Sequence, residues 1–328
     1  MDFDVLIIGS GAGGGVTALA LCEQGFKVGL VERGPRFDPQ KDYILNYPDW
    51  ETRHDPLEQA RINEQTINLD YRTKFEVDGQ AHKRSGLVYH RVYGVGGSTL
   101  HYQGEAHRFG DHTFNNKTLY GWGVDWPINY ADLAPYYTTV EGLLGVAGNP
   151  NNPFKPKREA FPTPAHALSP RSRILAESAK SIGMTALPNT LALPSVSLDG
   201  RLPCQHSGGC DYGCVFGAKS SVDQAIIPRA ERTGNLSLLT ETRALKLELH
   251  DAGEIESVLC SNAGGVQQIT ARAFVLAGGA VETPRLMLSA FSDGAPNGYA
   301  NNTDQVGRYF METVVAFLFV ELEADVQV

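Results

Sequence analysis

Two short runs of apolar residues near the start of the chain, Val5–Ile8 and Val28–Val31, lie on either side of a helix-like stretch at residues 15–24. Continuous apolar runs of this length are typical of strands in a parallel sheet that is covered on both faces. A strand, a helix and a second strand in this order predict a βαβ unit at the start of the chain.

The rest of the chain continues the alternation of strands and helices. Residues 36–85 interrupt it, because they are polar and aromatic without a clear period, and we expect a lid, a subunit contact or part of a second domain there. The pattern predicts strands over residues 88–92, 236–239 and 269–276, a hairpin of residues 244–249 and 254–260, and helices over residues 130–144, 169–182, 222–232 and 282–289. This order indicates an α/β fold.

The residues that join the first strand to the helix, Gly9 to Gly14, fit the pattern G-x-G-x-x-G. Gly9 permits a tight turn, Gly11 lets the backbone approach a pyrophosphate, and Gly14 lets the helix pack closely on the strand. The helix N-terminus favours a pyrophosphate through its N–H groups and its dipole. Glu32 ends the second strand 18 positions after Gly14, where its carboxylate would accept hydrogen bonds from a ribose hydroxyl. We predict dinucleotide binding, with Arg33 as a further contact, and the acid disfavours NADP because it would repel a 2′-phosphate.

Two more glycine-rich turns follow predicted strands. Gly94 to Gly97 precedes Ser98, and Ala277 to Ala280 leads into the helix at residues 282–289. Turns of this kind can bring backbone N–H groups against a cofactor, although the turn at residues 94–97 fits an ordinary glycine turn equally well. The turn at residues 277–280 predicts another cofactor contact at the edge of the same sheet.

Composition and charge argue against some classes of function. The net charge of −9, with no basic run to neutralise phosphates, argues against a nucleic-acid partner. No stretch reaches the roughly 18 apolar residues of a membrane span, and the first strand begins at residue 4, so we expect no signal peptide and no membrane span on this chain. Its 328 residues suffice for one large or two ordinary domains.

Three of the five cysteines, Cys204, Cys210 and Cys214, fall within eleven residues with the spacing C-x5-C-x3-C. Three thiolates in a glycine-bearing loop can converge on one iron–sulfur cluster, because soft sulfur ligands suit iron. A zinc site that adds His206, one disulfide plus a free thiol, and three unliganded cysteines are the alternatives. Cys22 and Cys260, in a predicted helix and strand, are expected to be buried apolar residues.

Four stretches together resemble the glucose–methanol–choline (GMC) flavoprotein oxidoreductases. They are IIGSGAGGG with Glu32, GVGGSTLHYQG, YGWGVDWPINYADLAPYY, and FVLAGGAVETPRLML followed by VGRYFME. The resemblance implies FAD as cofactor and a Rossmann-like FAD/NAD(P)-binding domain with long insertions. On this basis we predict an FAD-binding domain at residues 1–310 (core 1–35, 86–110 and 215–310; insertions 36–85 and 111–214, with the cysteine loop at 204–214), and the beginning of a truncated substrate domain at 311–328.

The resemblance also implies the positions that contact FAD. His101 and Tyr102 lie where bacterial sugar dehydrogenases of the family have a His–aromatic pair, and covalent attachment of the flavin through His101 is the less favoured mode. The expected contacts are Gly9, Gly11 and Gly14 at the pyrophosphate, Glu32 at the adenosine ribose, Gly96, Gly97 and Ser98 beside the flavin, Ala244 at the adenine, and Gly278, Gly279 and Thr283 at the later junction.

For the cysteine loop, the resemblance favours a 3Fe-4S cluster that carries electrons away from the flavin. It further implies a separate cytochrome c subunit and a small export or chaperone subunit as partners. The family's catalytic His pair is expected beyond Val328, so the catalytic residues are unknown and the activity of this chain alone is doubtful.

We therefore predict an FAD-dependent dehydrogenase that acts on CH–OH groups of a sugar, polyol or other alcohol. It would pass hydride to FAD and electrons through the cluster to a cytochrome or quinone. An oxygen-using alcohol oxidase and an inactive FAD-binding fragment are the alternatives.

Overall fold

A computed structural model describes residues 1–43, 68–69, 74–77, 80–83, 92–153, 155, 158 and 160–311. Its strands are β1 Phe3–Ile8, β2 Val28–Val31, β3 Asn68–Leu69, β4 Lys74–Val77, β5 Gln80–Lys83, β6 Val92–Tyr93, β7 Ala147–Gly148, β8 Thr163–Pro164, β9 Leu236–Leu239, β10 Arg243–Leu249, β11 Ile255–Asn262 and β12 Gly265–Leu276. Its α-helices are α1 Ala12–Glu23, α2 Asn116–Tyr120, α3 Tyr130–Leu144, α4 Pro170–Ser181, α5 Val222–Ala225, α6 Ile227–Arg232 and α7 Gly279–Leu288. Within these residues, no helix combines the length and the apolar character that crossing a membrane requires.

The main sheet has six strands in the order β10-β11-β12-β1-β2-β9. Strand β1 lies near its centre and pairs in parallel with both β12 and β2, and β2 pairs in parallel with β9. Leu6 and Ile7 of β1 are completely buried, as are Val28 and Leu30 of β2. The continuous apolar runs of the two strands follow from this burial on both faces. The α/β fold class and the first βαβ unit are thus confirmed.

An antiparallel extension completes the sheet on one side. Strand β10 pairs with β11, and β11 pairs with β12, so the hairpin predicted around residues 251–253 is confirmed. Side chains from this extension join a core with Leu6 of β1 that contains Leu247, Val258 and Cys260. Cys22 and Cys260 are both buried and free, as predicted.

The chain divides into two compact units. The first comprises the described residues of 1–103, 208–216 and 221–311, and the second those of 104–207 and 217–220. The six-stranded sheet belongs to the first unit. The domain boundaries predicted from the sequence remain a prediction.

Helix α3 of the second unit begins and ends where the sequence predicted. The side chain of Asn129 accepts hydrogen bonds from the N–H groups of Ala131 (2.8 Å) and Asp132 (3.3 Å), and the Asp132 carboxylate accepts from the N–H of Asn129. This capping box fixes the first turn, and Gly145 ends the helix in a left-handed conformation, φ +67°.

Several other predicted elements need correction. Helix α7 begins at Gly279 rather than at residue 282, and β12 begins at Gly265 rather than at residue 269. Helix α1 begins at Ala12 rather than at residue 15, because its first turn is built from glycines that give no helical signal. The helix predicted over residues 222–232 is two short helices, since Pro228 lacks the N–H that a continuous helix requires. The strand predicted over 88–92 is described only from Val92, and its earlier residues lie outside the described part of the chain.

Candidate cofactor site

The first glycine loop lies between β1 and α1 in the first unit. Gly9 has φ +101°, and a Cβ atom there would lie 2.5 Å from the carbonyl oxygen of Ala277. A Cβ atom on Gly14 would lie 1.9 Å from the carbonyl oxygen of Gly9, so only glycine lets the helix approach the strand this closely. Gly11 differs from both, because a Cβ atom there would meet nothing within 4 Å. One side of the loop is therefore open.

The second glycine turn packs directly on the first. Gly96 and Gly97 have φ values of +105° and +55°, and a Cβ atom on Gly97 would lie 3.0 Å from the Cα of Gly11. A short 3-10 helix, Gly97–Leu100, follows the turn. The two turns form one continuous backbone wall in which Gly9, Gly96 and Gly97 are required by contact as well as by conformation.

A cavity of about 500 Å³ lies over this wall. Three strand–glycine–helix junctions contribute to its lining, together with the end of β2 and the start of β10. The predicted residues that line it are Gly9, Gly11, Glu32, Arg33, Gly97, Ser98, Tyr102, Ala244, Gly278, Gly279 and Thr283.

Three predicted cofactor residues are not part of the lining, as far as the structure describes the chain. Gly14 lies behind the loop, against Gly9, and Gly96 lies against Asp223. His101 ends the 3-10 helix, and its neighbour Tyr102 is the residue that lines the cavity. Their cofactor contacts remain predictions.

Glu32 lies at the end of β2 with only 6% of its surface exposed. One carboxylate oxygen, Oε2, accepts from the Ser10 hydroxyl at 2.6 Å and from the Ser10 N–H at 3.2 Å. The other, Oε1, accepts from the N–H of Gly34 at 3.0 Å. Burial raises the pKa of Glu32 above its ordinary value of 4.5, because these neutral donors recover only part of the lost hydration. The carboxylate is held rigidly at the cavity wall.

Arginines supply positive charge around the same cavity. The Arg33 guanidinium lies 3.4 Å from the centroid of the Tyr93 ring, a cation–π contact that fixes its plane. Arg243 and Arg285 also line the cavity. Sequence analysis did not identify these two arginines or Tyr93. Arg243 directly precedes Ala244 in the stretch TRALKL, so the resemblance that assigned Ala244 to the adenine was the available signal.

The chemistry of the lining suits a dinucleotide. The open position over Gly11 is next to the start of α1, where helix N–H groups favour phosphate oxygens. Glu32 provides a hydrogen-bond acceptor for a ribose hydroxyl, and Ile8, Val31 and Leu276 provide apolar wall. The residues present therefore fit FAD.

The cysteine loop gives a different result. Cys210–Tyr212 forms a short 3-10 turn in the first unit, whereas Cys204 belongs to the second unit. All five cysteines are free. Across the described ranges, no three side chains of His, Cys, Asp or Glu are arranged to hold a metal ion. With the cysteines free, the disulfide alternative is not formed, and the predicted cluster on Cys204, Cys210 and Cys214 and the zinc alternative with His206 remain predictions.

Comparison with known proteins indicates the same cofactor as the lining of the cavity. Residues 4–42 match the FAD binding domain, and residues 94–310, more than half of the chain, match the GMC oxidoreductase family. A solved structure of pyridoxine 4-oxidase from Mesorbium loti has the same fold, with a TM-score of 0.58 at 20% identity over 87% of this chain and 51% of that one.

Curated relatives are more similar in sequence. The chain is 30% identical over 330 residues to 6'''-hydroxyparomomycin C oxidase of Streptomyces lividus, covering 98% of this chain and 56% of the relative. It is 28% identical over 325 residues to the fructose dehydrogenase large subunit of Gluconobacter japonicus, covering 95% of this chain and 58% of the relative. The chain thus spans about half the length of the relatives it matches. It belongs to the GMC oxidoreductase family, and the residues that match include its FAD-binding domain.

Proposed function

We propose that this chain is the FAD-binding part of an oxidoreductase that oxidises a CH–OH group of a sugar, polyol or other alcohol. The observation that carries the proposal is the cavity in which three strand–glycine–helix junctions meet beside a buried acid. A nucleotide site on the glycine loops and the carboxyl ends of parallel strands is the arrangement expected of a dinucleotide-binding sheet.

The residues at the cavity would hold FAD in distinct ways. Backbone groups at the start of α1 would bind the pyrophosphate, and the Glu32 carboxylate would accept from the adenosine ribose. Gly97 and Ser98 would contact the flavin half. When bound, FAD supplies the acceptor for the hydride that an alcohol gives up on oxidation.

The chain's own contribution is positioning and exclusion of water. Glu32 is fixed by three hydrogen bonds, and apolar residues from the strand ends form part of the wall, so a bound cofactor would be oriented in a partly dry site. Within the described chain no histidine lines the cavity. We therefore assign no proton-accepting residue here, and we propose that the base comes from a part of the enzyme corresponding to the remaining length of the relatives.

We further propose that the electron acceptor is a molecule other than oxygen. A relative named fructose dehydrogenase large subunit, and another named 2-methyl-1,2-propanediol dehydrogenase, favour a dehydrogenase. A cluster on the three cysteines, a cytochrome c subunit and an export subunit are predictions whose support is the cysteine spacing and the family resemblance. Because the described structure does not assemble a metal site, no electron step is assigned to a cluster.

An oxygen-using oxidase is the second candidate. Two relatives at 30% identity are named as oxidases, 6'''-hydroxyparomomycin C oxidase and paromamine 6'-oxidase. The two candidates differ in product, because an oxidase releases hydrogen peroxide and a dehydrogenase reduces another acceptor.

Anaerobic purification followed by an absorption spectrum and iron and acid-labile sulfide assays tests the proposal. Flavin bands that an alcohol bleaches would support an oxidoreductase, and about three irons per chain would support the cluster. Flavin without iron would contradict the cluster. A preparation that takes up no FAD would contradict the proposed function itself.

A further inference from the structure

Ser10 occupies a position that the G-x-G-x-x-G pattern leaves variable, yet its side chain is completely buried between the two glycine turns. Its hydroxyl donates to Oε2 of Glu32 at 2.6 Å and accepts from the N–H of Gly96 at 3.0 Å. One hydroxyl thus joins the carboxylate at the end of β2 to the turn after β6.

The same turn is held from its other side by a second hydroxyl. Thr99 Oγ1 donates to the carbonyl oxygen of Gly96 at 2.7 Å and accepts from the N–H of Val222 at 3.0 Å. The Gly96 residue is therefore clamped between Ser10 and Thr99. Because Gly96 has φ +105°, these hydrogen bonds hold the backbone in a conformation that few residues adopt.

The two short hydrogen bonds of the Ser10 hydroxyl run in series, and its contact with the carbonyl oxygen of Gly94 is longer, at 3.5 Å. The N–H of Gly96 donates to Ser10, and Ser10 donates to Glu32, so the chain of donors ends on a carboxylate. Charge-assisted hydrogen bonds are stronger than neutral ones, and bonds in series in a buried site polarise one another. A ligand that engages the Glu32 carboxylate would change the hydrogen bond that the carboxylate makes with Ser10, and through it the position of the turn.

We propose that Ser10 is a positioning residue that couples the ribose-binding carboxylate of Glu32 to the flavin-side turn at Gly96, so that binding at the adenosine end of the cofactor fixes the flavin end. The inference rests on the proposed function, since it assumes that FAD occupies the cavity. Ser10 is among the residues that line the cavity, but its hydroxyl is engaged by Glu32 and Gly96, and we assign that hydroxyl no contact with FAD.

Removal of the hydroxyl in Ser10→Ala tests this directly in the full chain. The change leaves Gly96 without its acceptor and Glu32 without its shortest hydrogen bond, and only the main-chain bond from Ser10 to Glu32 remains. We expect FAD to bind about ten- to hundredfold more weakly. The visible circular dichroism of the bound flavin should also change, because the turn beside the ring system has moved.

Ser257→Ala is the matched control. Ser257 is 1% exposed on β11, and its hydroxyl makes no hydrogen bond in the described structure. This variant should bind FAD as the wild type does, with the same flavin spectrum. A Ser10→Ala variant that matched Ser257→Ala in both measurements would overturn the inference.

Two further variants separate coupling from simple destabilisation. Ser10→Cys keeps the size and a weak donor, and it should give an intermediate FAD affinity; wild-type values for both affinity and spectrum would count against the inference. Combining Ser10→Ala with Glu32→Gln should weaken binding by less than the product of the two single effects, because both changes break the same chain of hydrogen bonds. Purely multiplicative effects would overturn the coupling.

Titration of the wild type with FAD distinguishes failure of the role inferred for Ser10 from failure of the proposed FAD-binding function. Wild-type protein that binds FAD, with Ser10→Ala unaffected, would refute the role of Ser10 and leave the proposed function standing. Wild-type protein that binds no FAD would refute the proposed function, and the role of Ser10 with it.

Discussion

Two buried glutamates, one in each unit, have opposite electrostatic environments. Glu32 is 6% exposed and Glu141 is 5% exposed, so both have lost most of their hydration. Burial raises the pKa of Glu32, and neutral hydroxyl and N–H donors offset only part of the rise. Burial also acts to raise the pKa of Glu141, but hydrogen bonds from Arg108 and Arg158 outweigh it and lower that pKa below 4.5.

The arginines contact Glu141 from two directions. Arg108 donates from Nε at 2.8 Å and Nη2 at 2.7 Å, and Arg158 donates from Nη1 at 2.7 Å and Nη2 at 2.5 Å. Hydrogen bonds to Glu141 in turn raise the pKa of Arg108. The charge of Glu141 is thus compensated within the second unit and serves the fold, whereas the charge of Glu32 faces a cavity and is compensated fully only if a ligand donates to it.

Breaking the ion pairs of Glu141 with Arg108 and Arg158 should give the largest loss of stability. Glu141→Ala leaves two buried guanidinium groups without their carboxylate, and we expect the free energy of unfolding to fall by about 3–5 kcal/mol. Chemical denaturation measures the change. Glu177→Ala, an exposed glutamate on α4, is the matched control and should change stability by less than about 0.5 kcal/mol. Equal stabilities for the two variants would show that Glu141 does not serve the fold.

Neutralising Glu32 should instead affect ligand binding. In Glu32→Gln the shape is kept and the charge is lost, so we expect FAD to bind about ten- to hundredfold more weakly. The free energy of unfolding of the FAD-free protein should fall far less than in Glu141→Ala, because removing a poorly compensated buried charge offsets the loss of acceptor geometry. Fluorescence titration with FAD and denaturation of the same samples measure both quantities. A large stability loss with unchanged FAD affinity would reverse the roles of the two acids.

The smallest effect should be the pH dependence of stability, which we expect to have opposite signs for Glu32 and Glu141. The raised pKa of Glu32 gives a stability contribution that is present below pH 4.5 and is lost as pH rises through the folded-state value. The lowered pKa of Glu141 gives a contribution that is present above pH 4.5 and is lost as pH falls through its folded-state value.

Unfolding of the FAD-free wild type, Glu32→Gln and Glu141→Gln at a series of pH values tests these signs. The stability difference between the wild type and Glu32→Gln should shrink as pH rises from 4.5, and that between the wild type and Glu141→Gln should shrink as pH falls below 4.5. Neither slope can exceed about 1.4 kcal/mol per pH unit, the value for one proton. Slopes of the same sign would contradict the comparison.

The elements that sequence analysis predicted well are those whose signal is local. Strand β2 and helix α3 have the predicted bounds, because an apolar run and a capping box depend on neighbouring residues alone. The predicted start of α1 was wrong by three residues, since its first turn contains glycines that favour a helix poorly, and the tight approach of Gly14 to Gly9 is a contact that the local pattern does not show. The break before Pro228 was missed, although the proline itself was the signal.

The residues of the cofactor cavity were likewise predicted only where the sequence carries a local motif. Motif residues such as Gly11 and Glu32 line the cavity. Tyr93 lines it through the fold and belongs to no motif, whereas Arg285 lies within the stretch FVLAGGAVETPRLML but was not singled out there. The cysteine spacing alone does not fix how the loop folds, so the metal site that it predicts stays a prediction. The role inferred for Ser10 depends on contacts 22 and 86 residues apart, which sequence reasoning could not supply.

A titration of FAD into the wild type, Gly11→Ala and Gly14→Ala tests the central claim most directly: that the open side of the first glycine loop is where the cofactor pyrophosphate lies. A Cβ atom on Gly11 meets no protein atom within 4 Å, so the variant should keep its stability to within about 1 kcal/mol and bind FAD about ten- to hundredfold more weakly. Gly14→Ala should lose stability, because its Cβ atom would lie 1.9 Å from the carbonyl oxygen of Gly9. A Gly11→Ala protein that binds FAD as tightly as the wild type would contradict the claim.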